Sequence, residues 1–336
     1  MTETKRIGFL LVPGFALLPY ASAVEPLRAA NEISGRALYS WHHLTPHGVP
    51  VQASNGITLS PDMDWADAAS LDLLVVCAGV SAVGFHDAAT LRRLAVLARQ
   101  AVRMGGVSAG PYLLARAGLL KGYRFTLHWE LAPSFLEEFP DLDLQRCLFE
   151  IDRDRLTCSG GAAPLDMMHA LLAREHGNAL AVAVSGWFLA TAVRDGEHPQ
   201  RMAPVMRFGV RNATVLRVIA HMEKHLDHPA RGHELAAVAG ISQRQLERLF
   251  QLYLCMTPTA FQLKLRLEQA RTLLRQTGLS IMEVAVATGF ANASHFAHAY
   301  RDRFGCTPRS DALRNAPLAG RHNPMMEASD HHVIPA

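Results

Sequence analysis

A chain of 336 residues, 49% hydrophobic and 19% charged, carries enough apolar material for full cores and favours two domains over one. No apolar run reaches membrane length, Met1 to Arg6 is too short and polar for a signal peptide, and Cys77, Cys147, Cys158, Cys255 and Cys306 lack paired spacing. A cytoplasmic protein without membrane span, disulfide framework or zinc site is therefore expected. The net charge of +3 is uneven: Arg207 to Arg314 hold 15 Lys and Arg against 8 Asp and Glu, a net +7, and the remainder holds 18 against 22, a net −4. Contact with phosphate is expected at the basic, C-terminal end only.

In chain order, residues 1–195 alternate strand-like and helix-like segments. Arg6 to Val12 is a short apolar run; a loop and a helical stretch from Pro19 to Asn31 follow, and Trp41 to Leu44 and Leu71 to Cys77 are further strand candidates. Apolar spacing predicts a helix over Leu91 to Met104, after which Gly106 and Val107 lead into SAGPYLLARAGLL. Ser159 to Leu172 reads as a turn opening a helix, and Ala179 to Val193 as another apolar helix. This pattern predicts an α/β domain, flavodoxin-like, with a mostly parallel sheet and helices on both faces. Residues 196–210, rich in proline and charge, read as a linker, 211–315 as an all-α domain, and 316–336 as a disordered tail. The adjacent His331 and His332 in that tail are read as incidental, and no metal or cofactor is expected.

The all-α segment contains a tandem repeat. HELAAVAGISQRQLERLFQLYL (233–254) and SIMEVAVATGFANASHFAHAYRDRFG (280–305) each hold a short helix of small apolar residues: Leu235, Ala236 and Ala239, then Val284, Ala285 and Ala287. In each, a glycine (Gly240, Gly289) stands where positive φ is cheapest, and a polar cap (Ser242, Asn292) opens a second helix. Two helix-turn-helix units whose equivalent points are about fifty residues apart predict two helices in successive major grooves. Within the second helices, Leu246, Leu249 and Phe250, and Phe296, Ala299 and Tyr300, should pack inward.

Residues 215–314 resemble the C-terminal domain of AraC-family regulators, carried by RQLERLF (244–250), TPTAFQLKLRLEQARTLL (257–274), VAVATGFANASHFAHAYRDRFG (284–305) and TPRSDALR (307–314). A long helix from about Pro258 to Leu274, with Phe261, Leu265, Leu267, Ala270, Leu273 and Leu274 on one broad face, should hold the units at fixed separation. The expected DNA-facing residues are Gln243, Arg244, Glu247 and Arg248 in the first unit and Asn292, Ser294, His295, His298 and Arg301 in the second. Arginines can pair with guanine or clamp phosphate, and Asn and Gln can read adenine. Two positions leave the family pattern: Cys255 stands where glycine is usual and should strain its turn, and His298 replaces a common basic residue, which predicts a weaker, pH-sensitive contact.

Residues 5–194 resemble the class I glutamine-amidotransferase-like (ThiJ/PfpI-type) fold, in the GlxA-type branch fused to AraC domains. The resemblance rests on LVPGF (11–15), VEPLRAANEISG (24–35), LLVVCAG (73–79), GGVSAGPYLLARAGLLKGYRFTLHWE (105–130) and CSGGAAPLDMM (158–168). It implies a nucleophile elbow at GVSAGPYLLA, with serine, Ser108, where related enzymes carry cysteine. Serine depends far more on a general base, and His128 is the candidate for it. Ser108 could equally end a buried strand. The ligand crevice is expected at the C-terminal strand ends, from Pro13, Gly14, Glu25, Gly79, Val80, Ser108, Ala109, His128, Trp129 and Glu130. Glu25 or Glu130 together with the ring faces of Trp41, Trp129 or Tyr112 could hold a cation, although each aromatic is more often core. Glu25 is expected to be a buried carboxylate in want of a partner.

The HWE segment with Leu38, Tyr39 and Trp41 resembles regulators of arginine, carnitine, choline or glycine-betaine use. The resemblance implies a transcription factor, mostly an activator, that responds to a small amine or amino acid, binds promoter DNA, works with RNA polymerase and dimerises through its N-terminal domain. The alternatives are an amidase or glyoxalase-like hydrolase with Ser108 at the nucleophile position, or an N-terminal domain that only dimerises.

Overall fold

A computed structural model describes residues 3–277 and 279–314. The expected tail and its histidines lie outside them. The N-terminal half is built on a six-stranded sheet. Its strands are β1 (Lys5–Leu11), β2 (Tyr39–Leu44), β5 (Leu73–Ala78), β6 (Arg103–Ser108), β7 (Phe149–Asp152) and β8 (Arg155–Cys158), and a separate small hairpin pairs β3 (Val51–Gln52) with β4 (Thr58–Leu59). The order across the sheet is β2-β1-β5-β6-β8-β7, parallel throughout except for β7, which runs antiparallel at the edge. The five parallel strands therefore follow a flavodoxin-like doubly wound order, in which ligands bind beyond the carboxyl strand ends.

Strand pleating explains the two cores. In β1, Ile7, Phe9 and Leu11 face one side and Leu10 the other, and Leu73, Val75 and Cys77 alternate with Leu74, Val76 and Ala78 in β5. The first face is covered by α1 (Leu17–Ser34), α5 (Ala163–His176) and α6 (Asn178–Trp187). The second is covered by α2 (Ala88–Arg99), α3 (Gly110–Arg116) and α4 (Ala132–Glu138).

Several segment boundaries differ from expectation. The helix predicted to Met104 ends at Arg99: Ala101 takes φ 66°, the chain reverses, and Arg103 starts β6. The helix predicted to Val193 ends at Trp187, with Leu189 at φ 55° just beyond. The β7–β8 hairpin was not expected at all.

The linker is bound to the sheet domain. Arg194 donates through its backbone N–H, Nε and Nη2 to Asp166, the Gly196 carbonyl accepts from Leu148 N–H (2.8 Å), and Gln200 Nε2 lies within 3.0 Å of Thr126 Oγ1 and the Leu127 and Cys147 carbonyls. The Arg201 guanidinium stacks on Trp129, 4.4 Å from the ring centroid, and reaches Glu223 at 3.5 Å.

The C-terminal half comprises α7 (Pro204–Phe208), α8 (Ala213–Lys224), α9 (Gly232–Ala239), α10 (Gln243–Leu254), α11 (Pro258–Gln276), α12 (Ile281–Ala287), α13 (Ala293–Phe304) and α14 (Pro308–Arg314). It has two cores. Phe261 and Leu265 of α11 join α8, α9 and α10, whereas Leu267, Ala270, Leu273 and Leu274 join α12 and α13. The single broad face expected of α11 is thus two faces, since two residues advance a helix by roughly 200°. One helix is a structural member of both units, and this fixes their separation.

Candidate DNA interface and sensor crevice

Each helix-turn-helix unit is shaped by its caps. Gly240 closes α9 at φ 69° and Gly289 turns the second unit at φ 74°. Ser242 accepts from Gln245 N–H (3.3 Å) to open α10, and Asn292 Oδ1 accepts from His295 N–H (2.8 Å) to open α13. The inward set is as expected: Leu246, Phe250, Phe296 and Tyr300 are buried, and Leu249 and Ala299 pack on the same cores.

All nine expected DNA-facing residues are exposed. Their chemistry is unequal. Gln243 Nε2 donates to Glu247 (3.0 Å), so this pair is partly self-satisfied. Asn292 spends its carbonyl on the cap, which removes half of the bidentate pattern needed for adenine. His298 lies 3.5 Å from both Asp302 and Arg301, and the His295 ring sits edge-on to Phe290. Arg244 and Arg248 show no side-chain hydrogen bond or ion pair among the described residues.

Three features of this half were not anticipated. Arg266 of α11 donates Nε to the Thr288 carbonyl (2.7 Å) and lies over Phe290 at 4.0 Å, riveting the second unit to the shared helix; burial pushes its guanidinium below the ordinary value. Gly289 is pressed against the α8–α9 connection, where an added Cβ would stand 2.6 Å from the Asp227 carbonyl oxygen and from Pro229. Asp311, 1% exposed, accepts from Tyr300 (2.7 Å), Arg271 (3.0 Å) and Arg275 (2.9 Å). Burial opposes the Asp311 charge, but the Tyr300 and Arg275 hydrogen bonds and the two guanidiniums hold its carboxyl below the ordinary range.

At the C-terminal strand ends, Ser108 occupies a sharp strand-to-helix turn at φ 59° between β6 and α3. Glycines make the turn possible. A Cβ on Gly110 would strike the Val76 carbonyl, and one on Gly160 would stand 2.9 Å from Ser108 Cβ. Ser108 Oγ makes no hydrogen bond among the described residues. His128 is joined to the elbow through its backbone, whose N–H donates to the Ser108 carbonyl (3.1 Å), while its Nδ1 accepts from Glu130 N–H (3.4 Å). Burial lowers the His128 imidazole below its usual value, with the nearby Glu130 charge opposing. The Ala109 N–H, a natural oxyanion donor, is spent on the Ala78 carbonyl (3.2 Å).

The other expected crevice residues divide. Gly14 (φ 77°) and Gly79 meet back to back, with Ser81 Oγ closing over Gly14, so Pro13, Gly14, Gly79 and Val80 do converge. Trp129 and Glu130 are partly exposed beside them. Tyr112 does not belong: it is 1% exposed in the α2–α4 core, and its hydroxyl donates to Glu138 (2.9 Å) and the Ser134 carbonyl (3.1 Å). Trp41 packs in mid-strand against the α1–α5–α6 core rather than at a strand end. Glu25 is not a buried orphan; its side chain is 43% exposed and paired with Arg28 at 2.7 Å.

A cavity of about 650 Å³ lies at this edge, between the two halves. Val80, Ser81 and Glu130 form one wall; Arg271, Arg275, Gln276 and Phe304 are on the other.

Comparison with known proteins places both halves. Residues 235–312 match a family described as a helix-turn-helix domain, and residues 5–173 match the DJ-1/PfpI family. The HTH-type transcriptional regulator GbdR of Pseudomonas aeruginosa is 44% identical over 317 residues, covering 94% of this chain and 85% of that protein. The HTH-type transcriptional regulator GlxA of Rhizobium meliloti is 42% identical over 313 residues, covering 92% and 95%. Among solved structures, an AraC family transcriptional regulator from Pseudomonas putida covers 55% of this chain and 99% of its own, at 28% identity and TM-score 0.50. A ThiJ/PfpI family protein from Pseudomonas syringae, at 21% identity and TM-score 0.50, shares the fold. Among the described residues no helix is long and apolar enough to cross a membrane. With two paired reading helices on a basic domain and relatives matched along nearly its whole length, the chain is a DNA-binding transcriptional regulator and belongs to the AraC-type regulators that carry an N-terminal DJ-1/PfpI domain.

Proposed function

We propose that this regulator is a one-component sensor and not an enzyme. The sheet domain, residues 1–195, binds a small amine or amino-acid effector, and residues 211–315 carry the response to promoter DNA. The observation that carries this reading is the elbow: its shape is kept, but Ser108 Oγ has no hydrogen-bond partner among the described residues and Ala109 N–H is already engaged. A ligand that binds two states of the protein with different strength then shifts promoter output. Gln243, Arg244, Glu247, Arg248, Asn292, Ser294, His295, His298 and Arg301 form the DNA-facing set, with Arg248 and Arg301 the principal contacts. The protein acts in the cytoplasm, mostly as an activator, with RNA polymerase as its partner and as a homodimer through the sheet domain. The exposed Val182, Trp187 and Leu189 on and just after α6 support that association.

Calorimetry of the full chain against a panel of amines and amino acids tests the sensor. Heat from at least one compound is expected, and silence across the panel overturns the reading. Amide turnover by the wild type that disappears in Ser108→Ala would establish the hydrolase alternative instead.

A further inference from the structure

The cavity at the strand ends is walled on one side by the DNA-binding half, and its chemistry is specific. Its volume of about 650 Å³ suits a small metabolite. On the α11 wall, Arg271 is held in place twice: its Nε donates to Asp311 (3.0 Å) and its guanidinium carbon lies 4.5 Å from the Phe304 ring centroid. Both Nη groups of Arg271 are left without a hydrogen-bond acceptor among the described residues. Arg275, fixed on the same carboxylate through Nε and Nη2, also leaves its Nη1 uncommitted. A planar fork with its orientation already set is suited to a carboxylate.

The same cavity holds an unmet acceptor. Gln276 lines it, and its side-chain carbonyl is buried with no hydrogen-bond partner among the described residues. A buried carbonyl without a donor is destabilising, and turning the amide toward the cavity would let a ligand N–H satisfy it. Across from it, Glu130 offers a carboxylate with no Lys or Arg partner in ion-pair range among the described residues, its side chain 3.9 Å from the His128 imidazole. A plain amine would leave the arginine edges unused, and a plain carboxylic acid would leave the Gln276 carbonyl unmet. A molecule with a carboxylate and an N–H-bearing ammonium satisfies both walls.

We propose that this cleft is the effector site and that it takes a free α-amino acid, its carboxylate on Arg271 and Arg275 and its ammonium between Gln276 and Glu130. This rests on the sensor reading above and adds where the effector sits. The DNA-binding half itself supplies the carboxylate grip. Because α11 belongs to both helix-turn-helix cores, an amino acid bridging Glu130 and α11 fixes the attitude of both reading helices toward the sensor at once. Coupling between effector and DNA then needs no relay through the sheet.

The test is titration calorimetry of the full chain with glycine, L-serine, L-glutamate and L-arginine, and with N-trimethylated glycine, which keeps the carboxylate but has no N–H. At least one amino acid should bind, and the trimethylated compound should bind at least tenfold more weakly than glycine. Gln276→Leu and Arg271→Lys should each weaken amino-acid binding by tenfold or more, while their circular dichroism melts stay close to wild type. Should a melt fall sharply, Glu130→Gln on the opposite wall gives the same reading without touching the Asp311 cluster. Amino-acid binding that survives all three substitutions but is lost in Ser108→Ala overturns the cleft and leaves the sensor standing. Binding of trimethylated glycine as tight as that of glycine also overturns it. No heat from any compound overturns both.

Discussion

The two helix-turn-helix units are built from the same local chemistry yet are secured differently. The first unit stands free at its turn: a Cβ added to Gly240 meets nothing within 4 Å, and its reading helix ends on Cys255, held in the left-handed region at φ 55°. The second is wedged in place by Gly289 against the α8–α9 connection, by Arg266 on Thr288, and by Asp311 beneath Tyr300, and its reading helix ends on Gly305 at φ 70°. Their outer faces differ as well. α10 presents Arg244 and Arg248, whereas α13 presents Arg301 with two imidazoles. A repeat therefore conserves what makes the motif fold while its anchoring and its reading surface diverge independently.

The turns offer the sharpest contrast. Gly240→Ala should cost about 1 kcal/mol, the strain of a left-handed alanine alone. Gly289→Ala carries the same strain plus the clash with Asp227 and Pro229 and should cost about 3 kcal/mol or more. Equal losses in urea unfolding would erase the distinction. Asp311→Asn should destabilise the second unit by about 2 kcal/mol, below the usual cost of breaking a buried pair because Arg271 and Arg275 are 36% and 37% exposed. The Asp311 carboxyl is held below its ordinary value, so its stabilisation is complete above the unfolded value of about 3.9 and disappears as pH falls through the folded one. The variant should lack that acid-side slope in pH-dependent melts.

Arg248→Ala and Arg301→Ala should each weaken operator binding by roughly tenfold, with a shallower salt dependence where phosphate contact is lost. Gel shifts across a salt series would show whether the units contribute equally, and unchanged affinity in both variants would remove these residues from the interface. The smallest effect is expected at Cys255→Gly, a gain of about 0.5–1 kcal/mol as the strained cap relaxes, partly offset by the greater freedom of glycine in the unfolded chain. A thermal melt that falls instead would mean the cysteine packs usefully.

Much of this was legible in the residues. The repeat, its caps and the inward Leu246, Phe250, Phe296 and Tyr300 follow from local spacing, and β1 and β5 hold plain apolar runs. Local signals failed where local preference was overruled. Gly105 and Gly106 hide β6, yet the sheet needs their lack of side chains for α3 and β8 to approach. Arg153 at φ 54° makes the β7–β8 turn without the glycine that would have announced it. In the site, Tyr112 looked available beside the elbow because nothing nearby in sequence reveals Glu138 and Ser134, 26 and 22 residues on, as its acceptors. The cleft was the least legible feature of all. Its walls are Glu130 and residues about 140 further along, brought together only by how the two halves dock.

Gln200 has a practical consequence for taking the protein apart. Its amide reaches Thr126, Leu127 and Cys147 inside the sheet domain, and Gly196 caps Leu148 just before it. A sheet domain excised at residue 195 would lose these partners, uncovering the Leu127 carbonyl and the Leu148 N–H, which have no other hydrogen bond among the described residues. The point of clean dissection lies beyond Arg201 and before α7, so the segment that composition marks as spacer is, up to that point, the last structural layer of the sheet domain.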